Sequence, residues 1–461
     1  MGSLIERLYF SSPLIVQNLC ISLYGYKLYR ERYIGKHDEY FHQLLQSQWY
    51  STAELEQLAN KRFTAMVDHA VKNVSFYRGL VQKERLSHRE TIDLKRLTEF
   101  PIVTKEQLRE WPNEFIAQNF RTSQLIKIST SGTTGKTLGI FIDYDSRRYG
   151  YAFFSRLKEW AGVNSGLPSV TFAGRTILRP DSVKPPFWRY NRVMNNYLFS
   201  SYHLSPQNLP YYVDALLNIQ PVFIDSYPSS LYIIAKYMQE NNLCGIYPRA
   251  IVTSSETLWA HQRELMEAVF KCQVYDQYGS AEQVVFISQC EKGTYHIHPE
   301  FGIVEFLRED GSPAKPGEMA RLVCTGFTNL AMPLIRYDIG DTAILSEERC
   351  TCGRNFPVIE KLIGRTDDIL VTPDGRQIGR LDPVFKGLGS VIEAQICQVA
   401  LNRVIVRIVP GETFGEVDRK RITEELRKRL GVLVEISIET VLAIPRTSTG
   451  KFRGVVSLAK K

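Results

Sequence analysis

The sequence lacks any run of about 20 predominantly apolar residues, the length a membrane-spanning helix needs. Its most apolar N-terminal stretch, from Leu8 to Leu28, is interrupted by Ser11, Ser12, Pro13, Gln17 and Asn18. That stretch is expected to pack on the body of the protein, with peripheral contact to a membrane as the alternative. Cysteine is sparse, 8 in 461 residues, which excludes a disulfide scaffold. No basic, apolar and cleavage-site succession opens the chain, so a cytoplasmic protein with reduced thiols is expected. Glu6 stands where a myristoylation signal requires Ser or Thr. Runs of five or six like charges are missing too. The 57 basic and 49 acidic residues leave a dispersed +8, which suits an anionic substrate or surface without demanding nucleic acid. Repeats and low-complexity tracts are absent, and the composition excludes collagen, coiled coil and disorder.

What is there reads as a soluble globular chain, 44% hydrophobic and 23% charged, long enough for two to four domains. Residues 51–73 form an expected helix: Ser51 and Glu54 make a capping box, and Leu55, Phe63, Met66 and Ala70 recur at helical spacing. Thr104 and Gln107 repeat the capping pattern. Strands are expected at Gln124–Ser129, Pro221–Asp225, Arg249–Thr253, Gly302–Phe306 and Arg321–Cys324. They alternate with helices such as Ser229–Asn241 and Trp259–Phe270. That alternation implies an α/β fold. Beyond Gly364 a strand at Arg403–Val409, a charged helix at Asp418–Leu430 and a strand at Val432–Val441 suggest a small second domain. The 24 Tyr and 23 Phe are dispersed and read as core, not as a stacking surface.

The strongest local signal is Ser129-Thr130-Ser131-Gly132-Thr133-Thr134-Gly135-Lys136-Thr137 after an expected strand. Two glycines permit a tight turn, and hydroxyls plus one ammonium surround it with donors, so a phosphate chain is the natural ligand. A Walker loop is excluded, because Thr130 stands where its first glycine belongs. Four further motifs follow in order. They are Tyr275-Asp-Gln-Tyr278-Gly279-Ser280-Ala281-Glu282, Leu334-Ile-Arg336-Tyr337-Asp338-Ile339-Gly340-Asp341, Ile363-Gly364-Arg365-Thr366-Asp367-Asp368 and Pro445-Arg446-Thr447-Ser448-Thr449-Gly450-Lys451. From about residue 50 onward the chain resembles the adenylate-forming superfamily. Within it the chain is similar to the phenylacetate–coenzyme A ligase family, in its CapK-like branch associated with capsular polysaccharide.

The resemblance implies a large N-terminal domain of sheets and helices over residues 1–364, mostly helical up to residue 100. A small mobile α+β domain would span 365–461. Thr130, Ser131, Gly132, Thr133, Thr134, Gly135 and Lys136 would wrap the ATP phosphates. Ser255, Glu256, Tyr278 and Gly279 would line the adenine, and Asp341 would take the ribose hydroxyls. Glu282 would hold Mg²⁺, Arg365 would lie near ribose and phosphate, and Lys451 would reach the α-phosphate from the mobile domain. Asp367 and Asp368 would form the hinge. Tyr227 and Ser229 would sit by the acyl group.

Such an enzyme joins ATP to a carboxylic acid and passes the acyl group to an acceptor, by default coenzyme A. The segment from Thr372 to Arg380 departs from the ligases' usual hinge exit, which leaves an amine of a sugar or amino acid as the competing acceptor. An idle scaffold of the same fold is the other reading. Cys290, His296, Cys350 and Cys352 supply one imidazole and three thiols, a sufficient set for a closed structural Zn²⁺ site. Similar residues occur in CapK-like relatives, and His298 is the competing ligand. Cys20, Cys244, Cys272, Cys324 and Cys397 read as small core residues.

Two anions must meet when a carboxylate attacks an α-phosphate, so a cation that arrives only at reaction lowers the barrier without tightening ground-state binding. Lys451→Ala is therefore expected to slow acid-dependent pyrophosphate release on the order of 100-fold. ATP affinity, measured by equilibrium titration, should stay within about 3-fold. Unchanged release would remove Lys451 from the reaction.

Overall fold

The computed structural model describes residues 4–82, 92–131, 137–362, 370–442, 444 and 455–457, apart from 165, 180, 206, 257, 259, 309, 379, 380, 386, 387 and 389. Its centre is five parallel strands. Val274–Gly279, Ala250–Ser254, Phe223–Ser226, Ser169–Ala173 and Asn196–Ser200 lie side by side in that order. Parallel neighbours need crossovers. Helices Leu209–Ile219, Pro228–Glu240 and Ala260–Phe270 provide them. They pack Leu216, Ile234, Ala235 and Met266 onto one sheet face. Helix Tyr144–Trp160 covers the other face through Leu157 against Phe223 and Val252.

Beyond Val274–Gly279 the sheet continues with antiparallel strands to the edge at Gly302–Leu307, and Trp188–Asn191 closes the opposite edge. Among the described residues this makes one twelve-stranded sheet. The expected elements are present with ends shifted by a few residues. Helix Thr52–Asn73 carries the Ser51–Glu54 capping box, and Lys105–Glu110 carries that of Thr104 and Gln107. The N-terminal segment forms two helices, Leu4–Ser11 and Leu14–Tyr33. The second packs on Trp188–Asn191 and on helix Tyr144–Trp160. Gly25 lets the helix and the strand approach closely: a Cβ there would stand 2.3 Å from the Asn191 side chain, which would have to shift. The other face of this helix leaves Ile15, Leu19 and Leu23 exposed. Among the described residues no helix is long and apolar enough to cross a membrane.

From Leu370 onward the chain builds a core of its own. Strands Glu435–Thr440, Arg403–Pro410, Val391–Ala400 and Val455–Ser457 form a separate sheet in that order. Ile422 and Leu426 of helix Glu416–Leu430 cover Val404, Val406 and Ile408.

One buried ion pair ties the N-terminal helices to the large sheet. Arg156 and Glu300 have no solvent-exposed side-chain surface, and Arg156 Nη1 lies 2.6 Å from Glu300 Oε1. Ser47 Oγ donates to the same oxygen at 2.8 Å. Arg62 Nη1 donates to the Glu300 carbonyl at 2.6 Å, and Arg156 Nη1 donates to the Leu44 carbonyl at 2.9 Å. Burial pushes the Glu300 carboxyl up, but the Arg156 charge and these hydrogen bonds outweigh it and hold it below its usual range.

The pair's contribution is therefore complete above the ordinary carboxylate range and is lost as pH falls through the lower folded value. Arg156→Met strands the Glu300 charge and is expected to cost about 3–5 kcal/mol in urea unfolding. Arg156→Met with Glu300→Leu should recover most of that loss. A single variant as stable as the parent would show that the pair is not the fastening.

Candidate active site

In open parallel sheets, ligands collect outside the carboxyl ends of the strands. Here the strand Val274–Gly279 delivers Tyr278 and Gly279 to that edge, and Ala250–Ser254 delivers Ser255 and Glu256. Ser255 adopts φ +72°, a left-handed conformation that a non-glycine residue rarely takes and that concentrates at functional sites. Tyr278 Oη donates to Asp341 Oδ2 at 2.8 Å, so two residues far apart in sequence meet at one place. Glu282, buried just beyond, accepts a hydrogen bond from Tyr337 Oη at 3.0 Å. Lys105 Nζ lies 3.9 Å from the same Glu282 oxygen and donates to the Ile339 carbonyl at 2.8 Å. Sequence reasoning missed Lys105; its place beside the capping box of a short helix gave no chemical signal.

The charged neighbours of Asp341 in its motif are committed to the scaffold. Arg336 clamps Glu305 at 2.9 Å and donates to the Phe100 carbonyl at 2.8 Å, while Asp338 pairs with Arg321 at 3.1 Å. Thr130 and Ser131 end the strand Ile126–Ser131, which runs two residues past its expected end and pairs antiparallel with Thr137–Ile142. Gly132, Thr133, Thr134, Gly135, Lys136, Arg365, Asp367, Asp368 and Lys451 lie outside the described residues.

Beside Gly279 and Ser280 opens a cavity of about 820 Å³. Asp225, at the end of Phe223–Ser226, lies on its wall, facing Arg32, Lys158 and Arg175. Burial pushes the Asp225 carboxyl up to about 6, against the pull of Arg175, Lys158 and Arg32. Burial likewise pulls the Lys158 ammonium down, opposed by Asp225. Tyr227 is not among the lining residues; it precedes helix Pro228–Glu240, which contains Ser229. The sequence offered no signal that Asp225 faces Lys158, because that placement arises from a strand end meeting a helix across the sheet.

A second cluster lies on the antiparallel side. Ligand atoms of Cys290, His296, Cys350 and Cys352 all fall within 4.8 Å of one another. The Cys290 and Cys350 sulfurs are 3.6 Å apart, and Cys352 Sγ is 3.4 Å from His296 Nε2. A tetrahedral zinc with bonds of about 2.3 Å to sulfur has sulfur–sulfur edges of roughly 3.8 Å, so the donor set fits that ion. Gly353, at φ +85°, makes the turn after the Cys350–Cys352 pair. Burial pushes the Cys290 thiol up to about 12 and the His296 imidazole down to about 4. His298 is not part of the cluster. Its Nδ1 meets Arg156 and its Nε2 meets Ser288 at 2.8 Å, which occupies both ring nitrogens. Of the remaining cysteines, Cys324 and Cys397 are buried and Cys272 is half-buried. Cys20 and Cys244 are exposed, contrary to the expectation that all five are core residues; Cys20 lies on an N-terminal helix and Cys244 follows helix Pro228–Glu240.

Residues 370–458 match the CapK C-terminal domain family. The whole chain is 30% identical over 470 residues to protein CapK of Staphylococcus aureus, covering 99% of this chain and 100% of that one. It is 22% identical to the phenylacetate-coenzyme A ligase of Thermus thermophilus, over 88% of this chain and 97% of that one. Among solved structures, 2-hydroxyisobutyryl-CoA ligase with 2-HIB-AMP and CoA in its thioesterification state superposes with a TM-score of 0.60. That match, at 19% identity, covers 89% of this chain and 91% of the other, and shows a shared fold.

A carboxyl whose folded value is raised from its usual range to about 6 weakens the fold as pH climbs through that interval, because the folded state then holds the extra proton. Asp225→Asn is expected to leave stability unchanged near pH 4 and to raise it by about 1–3 kcal/mol above pH 7. Denaturant melts across that range read the difference. A variant with the same pH slope as the parent would show that Asp225 is not desolvated.

Proposed function

The chain belongs to the CapK family, allied to the phenylacetate–coenzyme A ligases, and on that premise we propose that it is an AMP-forming carboxylate ligase. ATP would lie across the carboxyl ends of the parallel strands. Its adenine would rest on Tyr278, beside Gly279, Ser255 and Glu256, and its ribose hydroxyls would donate to Asp341. The segment from Thr130 to Lys136 would wrap the phosphates, and Glu282 would hold Mg²⁺ against them. That ion would supply positive charge at the phosphates.

The substrate carboxylate attacks the α-phosphorus, the bond to the bridging oxygen breaks, and pyrophosphate leaves with its electrons. Arg365 and Lys451 would offset the charge that builds there. In the second step the acceptor attacks the acyl carbonyl and AMP departs. Coenzyme A is the proposed acceptor, in keeping with the thioester-forming relatives. One rigid arrangement cannot present both Lys451 and an acceptor at the same carbonyl, so the C-terminal unit would turn about Asp367 and Asp368 between the steps.

The observation that carries this reading is the Tyr278–Asp341 hydrogen bond at the strand ends, directly beside a cavity large enough for an acyl group. The test is isotope exchange between pyrophosphate and ATP over a panel of acids, followed by product analysis with coenzyme A or with amines. Acid-dependent exchange is expected. Its absence for every acid would favour the idle scaffold, and exchange followed by transfer only to amines would reassign the acceptor.

Cys290, His296, Cys350 and Cys352 would hold a structural Zn²⁺, since four protein ligands leave no open position for chemistry. Purified protein is expected to carry about one equivalent of zinc. Replacing Cys350 and Cys352 together by Ser should remove the metal and lower the melting temperature by several degrees, because metal binding is coupled to folding. A metal-free parent with an unshifted melt after that replacement would leave the cluster as reduced thiols.

A further inference from the structure

The cavity beside Gly279 has apolar side chains such as Leu28, Phe154 and Phe286 on its walls, but six charged side chains stand among them. Two of its charged side chains are already partnered: Arg147 lies 3.6 Å from Glu31, and Asp38 lies 2.9 Å from the His37 ring. Four others are not. Among the described residues, no side-chain hydrogen bond or close ion pair engages Arg32, Lys158, Arg175 or Asp225. Arg32 instead lies over the Tyr151 ring, its Cζ 4.4 Å from the centroid, and Lys158 Nζ lies 5.3 Å from the Phe154 centroid. Three cations thus face one carboxylate. Arg175 is exposed at the mouth, whereas Arg32 and Lys158 are half-buried on the walls formed by helices Leu14–Tyr33 and Tyr144–Trp160.

A hydrocarbon filling this space would displace water from unpaired charges and give nothing in return, and each stranded charge opposes binding. An anion at the same place recovers the lost solvation. Gly279 and Ser280 border one part of the cavity, next to the proposed nucleotide site, and Arg32 and Lys158 border another. Resting on the adenylating reading above, we infer that the acid taken here is small and polar. It carries hydroxyl groups and a second anionic group, carboxylate or phosphate, at the end remote from the carboxyl that is activated. That second group binds between Arg32 and Lys158, with Arg175 adding charge at the mouth. Asp225 accepts from the hydroxyls and keeps the two wall cations from overcharging the empty pocket. A volume of about 820 Å³ accommodates such an acid and lies within the ordinary range of small-molecule sites.

The test is calorimetric titration of the full chain with five probes: D-gluconate, D-glucarate, 6-phosphogluconate, phenylacetate and octanoate. Pyrophosphate–ATP exchange is run in parallel with the same acids. Glucarate or 6-phosphogluconate is expected to bind at least 10-fold more tightly than gluconate, phenylacetate or octanoate, and which of the two binds decides between carboxylate and phosphate. Arg32→Met and Lys158→Met should each reduce that preference at least 10-fold, in proteins whose thermal melts show them folded. Lys158→Gln serves where the methionine variant does not fold. The inference is overturned if phenylacetate or octanoate binds as tightly as the dianions. It is equally overturned if no dianion binds, or if the preference survives both substitutions. Dianion binding lost in the variants, with no acid supporting exchange, would overturn the adenylating reading while the charge preference stands.

Discussion

The Arg156–Glu300 pair is the constraint on which the arrangement of both sites depends. Two charges without any exposed surface are tolerated only where partners surround them, and here every nitrogen and oxygen of the two groups except Arg156 Nε has one. Meeting them recruits Leu44 and Ser47 from one N-terminal helix, Arg62 from the next, and His298 from just past the strand Tyr295–Ile297. Four chain segments thus converge on one point, and none can shift without leaving a buried charge short of a partner. On one flank the Trp160 ring stacks on His298 with centroids 5.3 Å apart and meets His296 edge-on at 6.3 Å, which fixes a wall of the thiol cluster. On the other flank the same helix carries Lys158 to the cavity, and Phe301, next to Glu300, lines it.

The two sites place opposite demands on the scaffold. The cluster brings thiols together, and burial favours the protonated Cys290, so a cation bound there would have to displace that proton, which couples occupancy to pH. The cavity keeps Asp225 and Lys158 desolvated without a direct partner, which weakens the fold and is the cost that the proposed recognition would justify. Both sit on the rigid sheet and its covering helices, where the large apolar clusters can carry such a cost. Ser255 and Gln283, each held at positive φ near the strand ends, add backbone strain in the same region.

Local chemistry was legible in the sequence. Both capping boxes, the crossover helices and most strands follow from residues within a few positions of one another. The Cys–His set was legible as a donor inventory, but the choice of His296 over His298 was not. Alternation puts both histidines on one strand face, and only the distant Arg156 and Ser288 take His298 out of contention. The strand order of the sheet and the meeting of Tyr278 with Asp341 depend on non-local pairing, which no local pattern encodes. Resemblance supplied the residues of the proposed nucleotide site; the fold gave the geometry of those among the described residues, such as Tyr278 and Asp341. The charged cavity was illegible for a further reason: Arg32, Lys158 and Asp225 belong to no motif and look like ordinary surface charges until the helices close over them.

The C-terminal unit carries a core of its own. Its apolar cluster contains no residue before Leu370, so its core is complete without the large sheet. Arg376 sits where the two parts meet. Its guanidinium donates to the carbonyls of Arg429 and Leu430, at 2.8 Å each, and so satisfies the exposed end of helix Glu416–Leu430 from within the unit. One further bond, to the Tyr202 carbonyl, reaches the large body, and the Arg429 guanidinium lies over the Tyr202 ring at 5.4 Å. Were the unit to turn as proposed, these two contacts could be replaced by water, while the helix cap and the core would travel intact. A polar contact of this kind costs less to break than apolar surface costs to expose, which favours the two-step reading proposed above.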